Sequence, residues 1–265
     1  MKYFLIILVF LICSCSGKLE EKKHYYDTGE LKVLEYLDGD LKKHGEYKVF
    51  YKNGSIKIIA EYEKDVYKDT MFFYYKNGAI KSKKFKFKTV DSVYIYTEDG
   101  EFFSKGKLEN GDLLGWVEKF DVKTKSKIAK VEIVKIDDDL IENQTISYSK
   151  KLESNYLDII SKDTLLQNKL YPFSVKLNTS IPVERVYFCW NHDLKEDFSN
   201  INDVKLDTTY ALSGKEVKTE IGFRNKGIND IKGFIEGGYF DIKEDKKDSS
   251  RVKMRYIKNR VYINK

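Results

Sequence analysis

Long apolar runs are almost absent from this sequence. The one that exists, Tyr3 to Ile12, is ten residues long, against the roughly 20 that span the hydrocarbon core of a bilayer. That length argues against a permanent transmembrane helix. Histidine is scarce, and His24, His44 and His192 are each isolated from any second ligand at helical or hairpin spacing, which leaves no metal-site pattern. There is no Gly-x-Ser-x-Gly, no glycine-rich phosphate loop and no His-Glu-x-x-His, so the common hydrolase and nucleotide signatures fail. A long block of one charge is missing too. Lysines and arginines, 48 in all, interleave with 42 acids for a net +6, one less once Lys2 leaves with a leader, which argues against a nucleic-acid-binding arm. The expectation is a protein that is not an enzyme and uses no cofactor and no metal. Asp137-Asp138-Asp139 with Glu142 is read as a charged loop after a strand rather than a calcium site.

What is present begins at the N-terminus. Lys2, the apolar run and the small-residue patch Cys13-Ser14-Cys15-Ser16-Gly17 form the charge, core and cleavage order of an export signal. Ile12-Cys13-Ser14-Cys15 resembles the bacterial lipobox, with an aliphatic residue three before the lipidated cysteine and a small one directly before it. The resemblance implies cleavage after residue 14, lipid on Cys15, and a membrane partner reached through that lipid. Cys13 fits less well, because Ile12 is too bulky for the small position. Ser16 is not the aspartate that, in lipoprotein sorting, holds a protein in the inner membrane, so the implied location is the cell envelope, at the outer membrane where the cell has one. Residues 15–23 then serve as a lipidated linker.

With Cys13 removed and Cys15 acylated, Cys189 is the one thiol left, and it has no intramolecular partner. Val186-Tyr187-Phe188-Cys189-Trp190 reads as a strand that buries this cysteine in the core as a small apolar residue. The run Lys81-Ser82-Lys83-Lys84-Phe85-Lys86-Phe87-Lys88 alternates basic and aromatic residues, a pattern that binds nucleic acid or anionic lipid. An exported protein rarely meets nucleic acid, and the favoured reading is a solvated strand face with Phe85 and Phe87 turned inward.

The body of the chain repeats itself. Tyr25-Tyr26-Asp27-Thr28-Gly29-Glu30-Leu31-Lys32, Phe50-Tyr51-Lys52-Asn53-Gly54-Ser55-Ile56-Lys57 and Tyr74-Tyr75-Lys76-Asn77-Gly78-Ala79-Ile80-Lys81 are three versions of one phrase, and Tyr96-Thr97-Glu98-Asp99-Gly100-Glu101-Phe102 is a degenerate fourth. A recurrence of this length signals stacked repeats. Asn53-Gly54 and Asn77-Gly78 between alternating apolar residues favour a two-residue hairpin turn in which both residues take positive φ, and Gly29 and Gly100 mark the corresponding turns. Tyr47, Val49 and Tyr51 share one face of the incoming strand, and Ile56, Ile58, Ala60 and Tyr62 one face of the outgoing strand. Single hairpins are marginal in water, so successive ones should join edge to edge into a meander that closes a shared apolar layer.

These phrases resemble the MORN-repeat variant family, over residues 24–127 or slightly less. The copies at Gly54 and Gly78 match well, the copy at Gly29 fairly and the copy at Gly100 poorly, because an extra residue separates Tyr96 from its glycine. Gly45-Glu46-Tyr47 and Gly115-Trp116-Val117 keep the family's second signature, whereas Lys68-Asp69 stands where a glycine is usual. Bacterial proteins with such repeats are often labelled YwqK-type antitoxins, which implies a protein-binding or immunity-like role.

Past residue 128 the phrase disappears and short strand-like runs follow: Lys130–Ile136, Phe173–Leu177, Val183–Trp190, Val217–Phe223, Asp230–Glu236 and Met254–Ile263. Six or seven strands at this spacing suggest an immunoglobulin-like β-sandwich over 128–265, with Trp190 as core anchor. Asp158 to Gln167 is open to a helical turn. The whole is expected to be all-β: a signal peptide at 1–14, hairpin repeats, then a sandwich. The function expected is a non-enzymatic scaffold lipoprotein with an unidentified protein partner. The competing expectation is a carbohydrate-binding envelope protein, which requires solvent-facing rings at Tyr47, Tyr51, Tyr75 and Tyr96.

Overall fold

A computed structural model describes residues 19–87, 90–150, 152–180, 183–212, 214–240 and 249–264, so the leader and Cys15 lie outside the described residues. The protein is all-β, and every regular element among the described residues is a strand. The described residues divide into two compact units, one formed by those up to Phe87 with Glu98–Gly100 and the other by the remainder.

The first unit is an antiparallel meander of β1 (Glu20–Tyr25), β2 (Leu31–Leu37), β3 (Lys43–Phe50), β4 (Ile56–Glu63), β6 (Thr70–Tyr74) and β7 (Ile80–Phe85), with the short β5 (Val66–Tyr67) folded back on β4. Gly45, Tyr47 and Val49 stand opposite Tyr62, Ala60 and Ile58, so the alternation read from the sequence sets the register. The outermost strand, β1, is Glu-Glu-Lys-Lys-His-Tyr and wholly exposed, a charged edge that discourages pairing with another sheet.

This unit closes no apolar layer of its own. Among its described residues only Glu35, Leu37 and Ala60 are fully buried. Both faces are half-covered instead, because lysine stems lie along aromatic rings. Lys32 sits over Tyr26, Lys57 over Tyr51 and Lys81 over Tyr75, at 5.5, 5.8 and 5.8 Å. The same tyrosine and the same lysine of each phrase recur in every pair.

The turns also differ from expectation. Tyr51 N–H donates to Ser55 O at 2.8 Å and Gly54 N–H to Tyr51 O at 2.9 Å, which closes a three-residue loop. Gly54 and Gly78 have φ of +81° and +86°, while Asn53 and Asn77 keep negative φ. The result is a type I turn followed by a glycine bulge, not a turn with two positive-φ residues. Asparagine is used for its side chain: Oδ1 of Asn53 accepts the Ser55 N–H, and Oδ1 of Asn77 accepts the Ala79 N–H. The paired positive-φ turn appears between repeats, at Lys64 and Asp65, with φ of +49° and +67°.

The second unit opens with another meander, β8 (Asp91–Tyr96), β9 (Phe102–Glu109), β10 (Asp112–Phe120), β11 (Lys127–Ile136) and β12 (Asp139–Ser147). It continues into β13 (Asn155–Ile160), β14 (Thr164–Leu166), β15 (Leu170–Thr179), β16 (Arg185–Trp190), β17 (Asp207–Leu212), β18 (Glu216–Gly222), β19 (Gly227–Phe240) and β20 (Ser249–Asn264). The stretch Asp158 to Gln167 holds no helical turn. Leu157 is buried and Asp158 exposed in strand alternation, and Thr164–Leu166 pairs in parallel with Tyr262–Asn264.

Strands β13-β15-β18, continuous with the β8–β12 meander through the β12–β13 pairing, pack against the sheet β14-β20-β19-β16-β17. That is the strand order of an immunoglobulin-type Greek key, with β16 in the place of the strand that buries a tryptophan. Trp190 lies in that core, parallel to Phe188 with ring centres 6.5 Å apart. Val175, Phe188, Ile231 and Ile257 at its centre have almost no exposed surface. No cysteine stands on β15 or β19, so apolar packing does the work that an inter-sheet disulfide does in antibody domains.

Candidate interaction surfaces

The repeat sheet of the first unit is tied across its turns. Tyr26 Oη donates to Phe50 O and Tyr51 Oη to Tyr74 O, each at 2.7 Å. The second tyrosine of one phrase is thereby bonded to the first residue of the next. Ser55 Oγ reaches Lys76 O, and Asn77 Nδ2 donates to Glu98 O at 3.0 Å. These bonds hold Gly29, Asn53, Gly54, Asn77, Gly78 and Gly100 in one row of turns. Tyr47, Tyr51, Tyr75 and Tyr96 are half-buried, so none is a fully presented platform. On β7, Lys83 lies over Phe72 and Lys84 over Tyr67. Phe85 is half-buried, but Phe87 is exposed rather than turned inward.

The β2–β3 pairing carries a wide bulge. Residues 44–46 face Tyr36 alone, and Gly45 takes φ +98° there. Asp69, nine residues before Gly78 as Gly45 is nine before Gly54, supplies the same backbone shape with φ +42°. The glycine missing from the phrase is thus replaced by an aspartate, one of the residues that tolerate this region best.

In the second unit the bulge recurs at Gly115, φ +72°, where residues 115–117 face Gly106 on β9. Val117 is buried and Trp116 points out. Beside Trp116 runs a groove of about 450 Å³ over β8–β11. Glu118 binds both Lys127, at 2.5 Å, and Lys105, at 2.9 Å. Those bonds, that of Lys127 first, hold its carboxyl below the usual range and raise Lys127.

A second cleft of about 700 Å³ opens at one end of the sandwich, lined among others by Trp190, His192, Asp193, Asp207, Phe223 and Lys232. His192 meets Trp190 and Phe223 edge-on, with ring centres 5.0 and 4.7 Å away. Desolvation between those rings lowers its pKa against a smaller opposing pull from a hydrogen bond at Gly222. Asp230, also on this cleft, is held by Arg260 Nε at 3.1 Å.

Cys189 is not in the core. Val186, Phe188 and Trp190 turn inward on β16, so Cys189 faces the other way, half-buried, within 3.6 Å of Thr208 Oγ1. Burial pushes its thiol up, the opposite of what a reactive nucleophile needs. His24 bonds Glu35 at 2.9 Å, far in sequence from His44 and His192. Asp137 and Asp138 form the tight turn between β11 and β12. No group of three or more metal-ligating side chains converges among the described residues. No protein-family model matches the chain, and no curated protein or solved structure matches it.

Proposed function

We propose that this is a non-enzymatic lipoprotein of the cell envelope, tethered through Cys15, that binds a protein partner along the repeat sheet of its first unit while the sandwich acts as its base. The observation that carries this reading is the exposure of that sheet: two half-covered faces, rows of lysine on tyrosine, and staples that keep the rows in place. A surface of this kind has aromatic area with little conformational freedom, which suits extended contact. The resemblance to MORN-type repeats supports it, and an immunity-like role is a special case that neighbouring genes would test.

The experiment is affinity capture from envelope extract with the full chain and two surface variants. Lys57→Glu with Lys81→Glu should abolish capture of a defined partner while the fold is kept. Tyr210→Ala, on exposed β17 of the sandwich, should leave it unchanged. A partner lost with the second variant and kept with the first overturns the assignment.

A further inference from the structure

We propose that the groove over β8–β11 binds an acidic saccharide, with Trp116 and Tyr148 as stacking platforms and Lys107 and Lys130 meeting its carboxylate. The proposal goes beyond the partner-binding reading and stands whether or not the first unit engages a protein.

The first argument is position. Trp116 follows the positive-φ Gly115 of its bulge as Glu46 follows Gly45 and Thr70 follows Asp69. The backbone at this place therefore needs only a side chain that tolerates water. Trp116 is 37% exposed and carries Lys130 on its ring, while the adjacent Val117 fills the interior at 1% exposure. Tyr148, 53% exposed, lines the same groove.

The second argument is charge. Four lysines surround one carboxylate, Glu118. Glu118 satisfies Lys105 and Lys127. Lys107 and Lys130 have no carboxylate partner among the described residues. Lys130 is held with its ammonium 4.4 Å from the centre of the Trp116 ring, and Lys127 lies 5.2 Å from that of Tyr148. Cations fixed against rings lose less freedom on meeting an anion than free lysines do.

The third argument is what the groove does not offer. It lies on the face of a sheet whose strands β8 to β11 are already paired with their neighbours, so a peptide would find no backbone to pair with. Ring faces and ammonium groups are the groups presented. A pyranose has an apolar C–H face for the rings, and a uronic acid adds a carboxylate for the lysines. The volume falls within the roughly 300–1,000 Å³ range of small-ligand sites.

The test is titration of the full-length protein with oligogalacturonate, its methyl ester and oligoglutamate, read by intrinsic tryptophan emission and by calorimetry. Trp190 lines the separate cleft of the sandwich, so a binding-linked shift is assigned to Trp116 by its loss in the Trp116→Thr variant. Oligogalacturonate should bind saturably, and the neutral ester and the oligoglutamate should each bind about tenfold more weakly or worse. Trp116→Thr, which copies the residue that the fold accepts at 70, and Lys107→Gln should each lower affinity by about tenfold with an unchanged far-UV spectrum. Absence of saturable binding, equal affinity for the ester or for oligoglutamate, or full affinity in both variants overturns the proposal.

Discussion

The side-chain amide of Asn143 pairs with the backbone of Tyr256 in both directions, its Oδ1 accepting the Tyr256 N–H at 2.8 Å and its Nδ2 donating to the Tyr256 carbonyl at 2.9 Å. Asn143 is 3% exposed, lies on β12 of the meander, and also donates to Glu132 at 2.7 Å. One side chain therefore acts as an extra ladder rung between the meander strands and β20 of the second sheet. Asn143→Leu leaves the Tyr256 N–H and carbonyl without these part-buried partners, while Glu132 keeps Gln144 at 2.6 Å. Each such group costs roughly 1–3 kcal/mol, so the variant should lose several kcal/mol in urea unfolding. A loss within experimental error would show that water replaces the amide.

Tyr51 and Tyr26 should contribute independently to the repeat sheet. Tyr51→Phe removes the bond to Tyr74 O without altering the ring under Lys57, at a cost of about 1 kcal/mol. Tyr26→Phe should cost the same, and the double variant about twice as much, because the two bonds share no partner. Strong non-additivity in thermal unfolding would instead mean that the turns melt as one block.

Glycines in this chain are not equivalent. Gly54→Val and Gly78→Val force a β-branched residue to φ above +80° and should destabilise the array by roughly 1–3 kcal/mol each. Gly39 has no positive φ and nothing within 4 Å of an added Cβ. Gly39→Ala should therefore be neutral or stabilising by up to about 1 kcal/mol. Asp69→Gly should relieve φ +42° and raise the unfolding midpoint. The ranking of the four midpoints is the measurement, and a Gly39→Ala variant less stable than Gly54→Val contradicts it.

The proposed lipid anchor is tested separately. Cys15→Ala should abolish lipid incorporation and release the folded protein from the membrane, because the tether is chemically distinct from either unit. Labelled fatty acid retained by the variant would refute acylation at that residue.

His192 sets a pH dependence whose sign follows from its surroundings. Its folded pKa lies below the ordinary 6.5 because desolvation by its neighbours disfavours the imidazolium. As pH falls below about 6.5 the unfolded chain binds the proton first, so stability present above that value is lost with acid. Glu118, whose folded pKa lies below 4.5, contributes stability above 4.5 that is lost as pH falls further. His192→Gln should flatten the fall of the unfolding midpoint that begins below pH 6.5 and leave the more acidic limb set by carboxylates intact. A steeper slope in the variant would contradict the assignment.

The repeat period, the alternation of Tyr47, Val49 and Ile58, and the paired Asn-Gly phrases were enough to specify an antiparallel meander, because strand periodicity and turn chemistry are local properties. Most C-terminal strands were legible for the same reason. The loop size at Asn53-Gly54 was not, since Asn-Gly serves two-residue and three-residue loops alike and the pairing of Tyr51 with Ser55 decides between them. Asp69 was visible only as a missing glycine; its positive φ shows that the backbone shape persists.

By itself the sequence determined the all-β class and the strand alternation of the hairpins. Only the tertiary structure decided which face of each strand is inside. Cys189 and Trp190 are neighbours on one strand and must point to opposite sides; opposing the core sheet, β16 buries Trp190 and turns the thiol toward Thr208. The same holds for Trp116, whose residue type says apolar interior, yet whose bulge at Gly115 places it in water beside Lys130. Burial depends on what packs across from a strand, and the residues that do so are distant in the chain.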